Sequence, residues 1–143
     1  ADGLQRVAED AVLNANYMLH HLKSTFNVPF KGYCMHECLL TDKHLKDKHV
    51  STLDIAKGLI EYGYHPMTVY FPLVVSGAML IEPTETESKQ SLDEFINTMK
   101  HLAHLAETKG EDTFKQFPLS TPRRRLDEVK AARQPILKWE KPE

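Results

Sequence analysis

Residues 63–92 read GYHPMTVYFPLVVSGAMLIEPTETESKQSL, and within this stretch the chain changes its local rules several times. Gly63 suits the left-handed position just past a helix end, and His65-Pro66 forces an extended break. Thr68 to Phe71 is β-branched and aromatic, as a strand requires. Val74-Val75-Ser76-Gly77 can turn the chain, so that Ala78 to Ile81 forms a second strand. Thr84-Glu85-Thr86-Glu87 then offers an acidic, hydroxyl-rich start for a helix. The apolar residues that follow, Leu92, Phe95, Ile96, Met99, Leu102, Ala103 and Ala106, recur at helical spacing along one face, with Gly110 placed to close the helix. A strand, a turn, a strand and a covering helix are thus predicted from one quoted stretch and its continuation.

Upstream, Val50-Ser51-Thr52-Leu53-Asp54-Ile55 has the form of a capping box with a staple, and predicts a helix from Ser51 to about Tyr62. Phe30 to Leu40 has enough β-forming residues for a strand. Leu4, Val7, Ala8, Ala11, Val12, Ala15, Met18, Leu19 and Leu22 predict a first helix buried along one face, with Asp2 as its cap and Asn27-Val28-Pro29 as its stop. Beyond residue 117 the chain is polar and punctuated by Pro118, Pro122, Pro135 and Pro142, and only Leu126 to Arg133 reads as helical. The sum is an α+β fold: a small antiparallel-type sheet of about three strands covered by helices. The expected parts are residues 1–26 as a connecting helix, 27–117 as the α+β domain and 118–143 as an extended tail.

A chain of 143 residues with 41% apolar content is long enough for one core and too short for two domains. A net charge of −2 from 18 basic and 20 acidic residues gives no field for nucleic acid or anionic lipid. The longest apolar stretch, Val69 to Ile81, is interrupted by Pro72, Ser76 and Gly77 and cannot span a bilayer. The N-terminal residues lack the apolar segment of a signal peptide. Cys34 and Cys38 are too few for a disulfide framework, which points to a reducing compartment. The expectation is a soluble intracellular chain. No glycine-rich phosphate cradle is present.

Three blocks in order carry a resemblance. HPMTVYFP (65–72) followed by MLIEPTETES (79–88), with GLQRVAEDAVLNANYM (3–18) before and TPRRRLDEVKAARQPILKW (121–139) after, closely resemble the C-terminal part of the glycine cleavage system P-protein family. Members are pyridoxal-phosphate-dependent glycine dehydrogenases (decarboxylating), oxidoreductases several times longer than this chain. The resemblance implies the C-terminal small domain of a fold type I pyridoxal-phosphate enzyme, with residues 1–26 coming off a large domain that holds the cofactor lysine. It implies a reaction in which glycine, joined to pyridoxal phosphate, loses carbon dioxide and passes its aminomethyl group to the lipoyl arm of the H-protein. The implied partners are the chain's own large domain or a partner P-protein subunit, the H-protein and glycine, in a homo-oligomer. The implied location is the cytoplasm, or the mitochondrion in a eukaryote. On this reading the chain closes one side of the active site and holds no cofactor or catalytic centre of its own. A stand-alone, non-catalytic binding module with the same fold is the alternative.

Several residues could carry chemistry. His65 and Tyr70 lie in the best-matched block and can exchange protons, or else serve only in packing. In many fold type I enzymes an arginine before the C-terminal helix clamps the substrate carboxylate. Here Ile81-Glu82-Pro83-Thr84 stands in that place. A decarboxylase gains nothing from a clamp that stabilises the ground state, which would explain the loss and make Thr84 and Glu85 substrate-binding candidates. The same residues also read as a plain strand-to-helix turn. Arg123, Arg124 and Arg125 form a basic run able to bind a carboxylate, a phosphate or an acidic partner, and equally able to be a solvated surface. Cys34, His36 and Cys38 would share one face if extended, a partial ligand set that lacks a fourth member, so no metal is expected. His101 and His104 are likewise i, i+3 on a helix with no other ligand in view.

Overall fold

The computed structural model describes residues 1–139 and 141. The elements are α1 (Asp2–Leu22), β1 (Cys38–Thr41), a 3-10 helix (Lys43–Lys48), α2 (Thr52–Glu61), β2 (Thr68–Val69), β3 (Ala78–Ile81), α3 (Lys89–Lys109), α4 (Glu111–Gln116) and α5 (Glu128–Arg133). The three strands form one antiparallel sheet in the order β1-β3-β2. The α+β architecture read from the sequence is the one observed.

The register sets the core. Cys38 lies opposite Ile81 and Leu40 opposite Met79, and all four are buried. Helices α1, α2 and α3 supply the other side, through Met18 and Leu22, Ile55 and Leu59, and Met99 and Leu102. Each such side chain contributes about 1.5–3 kcal/mol by leaving water. Helices α2 and α3 approach closely because residue 58 is glycine: a Cβ there would lie 2.7 Å from Leu102 Cδ2. The capping box forms as the sequence predicts, with Ser51 Oγ accepting from Asp54 N at 3.3 Å and the Asp54 carboxylate accepting from Ser51 N at 2.8 Å. Gly63 closes α2 at φ 84°.

Four expectations need correction. The strand predicted over Phe30 to Leu40 is only Cys38–Thr41, because β3 is four residues long and can pair no more than that. Tyr33 and Met35 stay exposed, and the Cys34 backbone is instead bracketed by the Asn16 side-chain amide at 3.0 and 2.7 Å. The strand predicted to run to Phe71 stops at Val69: Tyr70 N still donates to the Ala78 carbonyl at 2.8 Å, but its φ of 57° turns the chain out of the extended conformation there. Helix α3 is capped by Ser88, whose Oγ accepts from Ser91 N, not by Thr84 to Glu87. That turn is tied to α1 instead: the carbonyls of Thr84 and Glu87 accept from Asn14 Nδ2 at 3.0 and 3.4 Å. Asp2 is the first helical residue of α1, with no side-chain cap ahead of it.

Helix α1 is divided along its length. Ala15, Met18, Leu19 and Leu22 are buried, whereas Leu4 is 77% exposed and Val7 is exposed too, although both continue the same face. The predicted burial along the entire stripe therefore holds only for its second half. Gly110 ends α3 and opens α4, a helix the sequence did not announce; it drives Phe114 fully into the core.

Candidate functional site

Residues 64–68, entering β2, and residues 80–83, leaving β3, lie at the same end of the antiparallel pair. The first turns of α3 stand over that end. Between them is a cavity of about 590 Å³, within the usual range for small-molecule sites. Met18, Tyr64, Met67, Leu80 and Phe95 give it apolar walls, with the Tyr64 and Phe95 rings edge to face at 5.3 Å. His65, Thr68, Glu82, Glu87, Ser91 and Glu94 supply the polar groups. Among the described residues no lysine or arginine lines it. Among the described residues none of the three glutamates enters an ion pair. The lining therefore favours a cationic group and an apolar body, and disfavours an anion.

The residues singled out in the sequence are dispersed. His65 is exposed at the cavity wall. Tyr70 points to the opposite end of the strand pair, where its phenol oxygen accepts from Leu53 N at 3.3 Å and satisfies one free N–H of α2. It does not line the cavity. Thr84 and Glu85 sit just outside, and Thr84 Oγ1 bonds Thr86 Oγ1 at 2.8 Å. Arg123 and Arg124 are exposed. Arg125 turns inward and pairs with Asp54, also donating to the Phe114 carbonyl at 2.8 Å. Burial pushes the Asp54 carboxyl up, but hydrogen bonds from Ser51 and Arg125 outweigh it and hold the group below its ordinary range.

Other clusters resolve into structural roles. The stretch 34–37 is irregular, so Cys34, His36 and Cys38 do not share a strand face. Burial, with the Cys34 thiol adding to it, pushes the buried Cys38 thiol up to about 12, which leaves it unreactive. His101 Nε2 bonds the Tyr62 hydroxyl at 2.8 Å, while His104 lines a separate cleft with His44, Lys100 and Glu107. Among the described residues, no three His, Cys, Asp or Glu side chains converge on a point where a metal could sit. Among the described residues no helix is long and apolar enough to cross a membrane.

Sequence reasoning missed two features. Glu87 and Glu94 join Glu82 only because α3 begins over the end of β3; along the sequence Glu87 belongs to a helix start and Glu94 has no assigned role. The joint beneath Gly77 was also missed. There the nearly buried Asp42 accepts from Thr52 N at 3.0 Å, and Thr52 Oγ1 donates to the Gly77 carbonyl at 2.7 Å. A left-handed glycine followed by a strand was the one legible signal, and it gave no partner.

Residues 7–119 match the family model described as glycine dehydrogenase, C-terminal domain. The probable glycine dehydrogenase (decarboxylating) subunit 2 of Caulobacter vibrioides is 56% identical over 140 residues, covering 97% of this chain and 27% of the relative. The proteins of the same name from Endomicrobium trichonymphae and Shouchella clausii are 50% and 52% identical, over 99% and 97% of this chain and 30% and 28% of themselves. The chain thus spans under a third of the length of the curated relatives it matches. With residues 7–119 matched, well over half of its length, the chain belongs to the glycine dehydrogenase C-terminal domain family.

Proposed function

We propose that the chain is the C-terminal domain of a glycine dehydrogenase (decarboxylating) of the glycine cleavage system, an oxidoreductase, and that its cavity forms one wall of the active site over glycine and the lipoyl arm of the H-protein. The observation that carries the reading is the cavity at the 65–68 and 80–83 end, built from the two blocks that resemble the family most. The exposed first half of α1, with Leu4 and Val7 continuing the buried stripe, supports its role as the join to a large domain. The enzyme works in the cytoplasm, as a homo-oligomer or with a partner subunit.

Pyridoxal phosphate, the cofactor such an enzyme uses, does not fit the residues of this chain. Its phosphate would meet Glu82, Glu87 and Glu94 with no basic lining residue to neutralise it. The cofactor is held by the longer part of the protein. What these residues can do is electrostatic. The glutamates attract the ammonium of glycine or of an aminomethyl group, and the lack of an arginine leaves the carboxylate free to depart. His65 can hold or pass a proton at the wall. Thr84 and Glu85 stand beside the cavity as substrate-binding candidates, and Arg123 and Arg124 remain candidates on the exposed arm.

The test compares the chain alone with the complete polypeptide, each given pyridoxal phosphate and carboxyl-labelled glycine, with borohydride added to separate samples that lack glycine to trap a cofactor–lysine adduct. The complete polypeptide with H-protein should release labelled carbon dioxide, and the chain alone should release none. Release by the isolated chain, with a stoichiometric reduced adduct at one of its own lysines, would overturn the reading.

A further inference from the structure

Helix α1 meets the cavity end of the molecule with one face. Asn14, Tyr17 and Met18 are spaced i, i+3 and i+4 along it, as neighbours on a helix surface are. Met18 is buried and lines the cavity. The Asn14 amide nitrogen donates to the Thr84 carbonyl at 3.0 Å and to the Glu87 carbonyl at 3.4 Å. A carbonyl only accepts, so these two partners fix which end of the amide faces them, and they use both of its hydrogens. Glu87 N donates to the same Thr84 carbonyl at 3.3 Å. One side chain thus clasps both ends of a four-residue turn. Tyr17 repeats the tie further along: its hydroxyl donates to Asp93 Oδ1 at 2.5 Å, and Lys89 Nζ holds the other carboxylate oxygen at 2.6 Å.

These ties fall on the segment that carries the acid of the cavity. Glu87 ends the clasped turn, and Ser91 and Glu94 follow on the first turns of α3, Glu94 next to Asp93. Residues 82–88 join β3 to α3 without regular structure, and among the described residues Glu87 forms no ion pair that would hold it in place. A carboxylate on a loose turn has to be ordered by its ligand. On a turn already clasped, that loss of conformational entropy is met in folding and does not weaken binding. We propose that Asn14 is a positioning residue for this wall: by clasping the 84–87 turn it holds the Glu87 carboxylate at the cavity before an ammonium group arrives. The exposed half of the same helix is the proposed join to the large domain, so α1 sets the acidic wall relative to that domain. The inference deepens the functional reading and rests on it, since it takes the cavity to meet glycine.

A double-mutant cycle in the complete polypeptide, loaded with pyridoxal phosphate and supplied with H-protein, tests it. Glu87→Gln and Asn14→Leu should each raise KM for glycine about tenfold and leave kcat within about threefold. The two together should do little more than Glu87→Gln alone, because Asn14 acts through Glu87. Asn14→Asp keeps the shape but turns an acceptor toward two carbonyls, and should match Asn14→Leu. Amide hydrogen exchange supplies a readout without turnover: in Asn14→Leu it should quicken at least about fivefold over residues 84–92 and stay unchanged over β3. A raised KM in Glu87→Gln, with both Asn14 variants at the wild-type value, overturns the inference and leaves the functional reading standing. Effects that multiply to about a hundredfold in the double variant, or unchanged exchange over 84–92, overturn it as well. A wild-type KM in Glu87→Gln removes the reading of the cavity itself, and the inference with it.

Discussion

The two ends of the β2–β3 pair are built from the same strands and treat polar groups in opposite ways. At the Tyr70–Gly77 end nearly every polar group has an internal partner: Asp42 caps Thr52 N, Thr52 reaches Gly77, and Tyr70 takes Leu53 N. One Asp42 carboxylate oxygen, Oδ1, is the exception; it is buried without a hydrogen bond and packed under Gly77. At the His65–Glu82 end the glutamates and the imidazole face a cavity without ion pairs. A satisfied buried network rigidifies, whereas polar groups left facing a cavity remain available to a ligand. Substitutions at the first end should therefore cost stability, and those at the second should cost activity.

The largest effect is expected from Gly77→Ala. Its Cβ would fall 1.9 Å from Asp42 Oδ1, on a backbone at φ 68°. Unfolding by denaturant should show a loss of about 3 kcal/mol, and a loss under about 1 kcal/mol would mean that the joint is looser than its geometry. At the other end, His65→Asn in the complete enzyme should lower glycine decarboxylation about a hundredfold and leave the melting temperature nearly unchanged. A lowered melting temperature with normal turnover would reverse the comparison.

Asp54→Ala removes both the capping box and the anchor of Arg125, and should cost about 1–2 kcal/mol. It also has a pH signature. The folded Asp54 carboxyl is held below its unfolded value, so its contribution is full above about pH 4 and fades as pH falls through the folded value. Stability of the variant should decline less steeply over that acid range, as read from denaturation at a series of pH values. The smallest effect belongs to Tyr70→Phe, which loses one 3.3 Å hydrogen bond at the α2 terminus. It should cost about 1 kcal/mol or less and change turnover under about threefold. A hundredfold drop in turnover would place Tyr70 in the chemistry and blur the division between the two ends.

Several local rules were legible. The Ser51–Asp54 box, the glycine after α2, the β3 strand and the apolar face of α3 are each specified by residues within a few positions of one another, and all formed as read. What the sequence left open depended on distance along the chain. Phe30 to Glu37 has the composition of a strand, but a strand forms only where another can pair with it, and β3 offered four positions. Ser88 took the cap that Thr84 to Glu87 offered equally well, because Asn14, 70 residues earlier, bound that turn. The candidate site follows the same rule. The sequence by itself determined that His65 and Glu82 stand at strand ends in blocks resembling one enzyme family. Only the tertiary structure decided that they share a wall with Glu87 and Glu94 while Tyr70 and Arg125 serve α2, because side-chain partnership is set by the register of β2 on β3 and by where α3 crosses them.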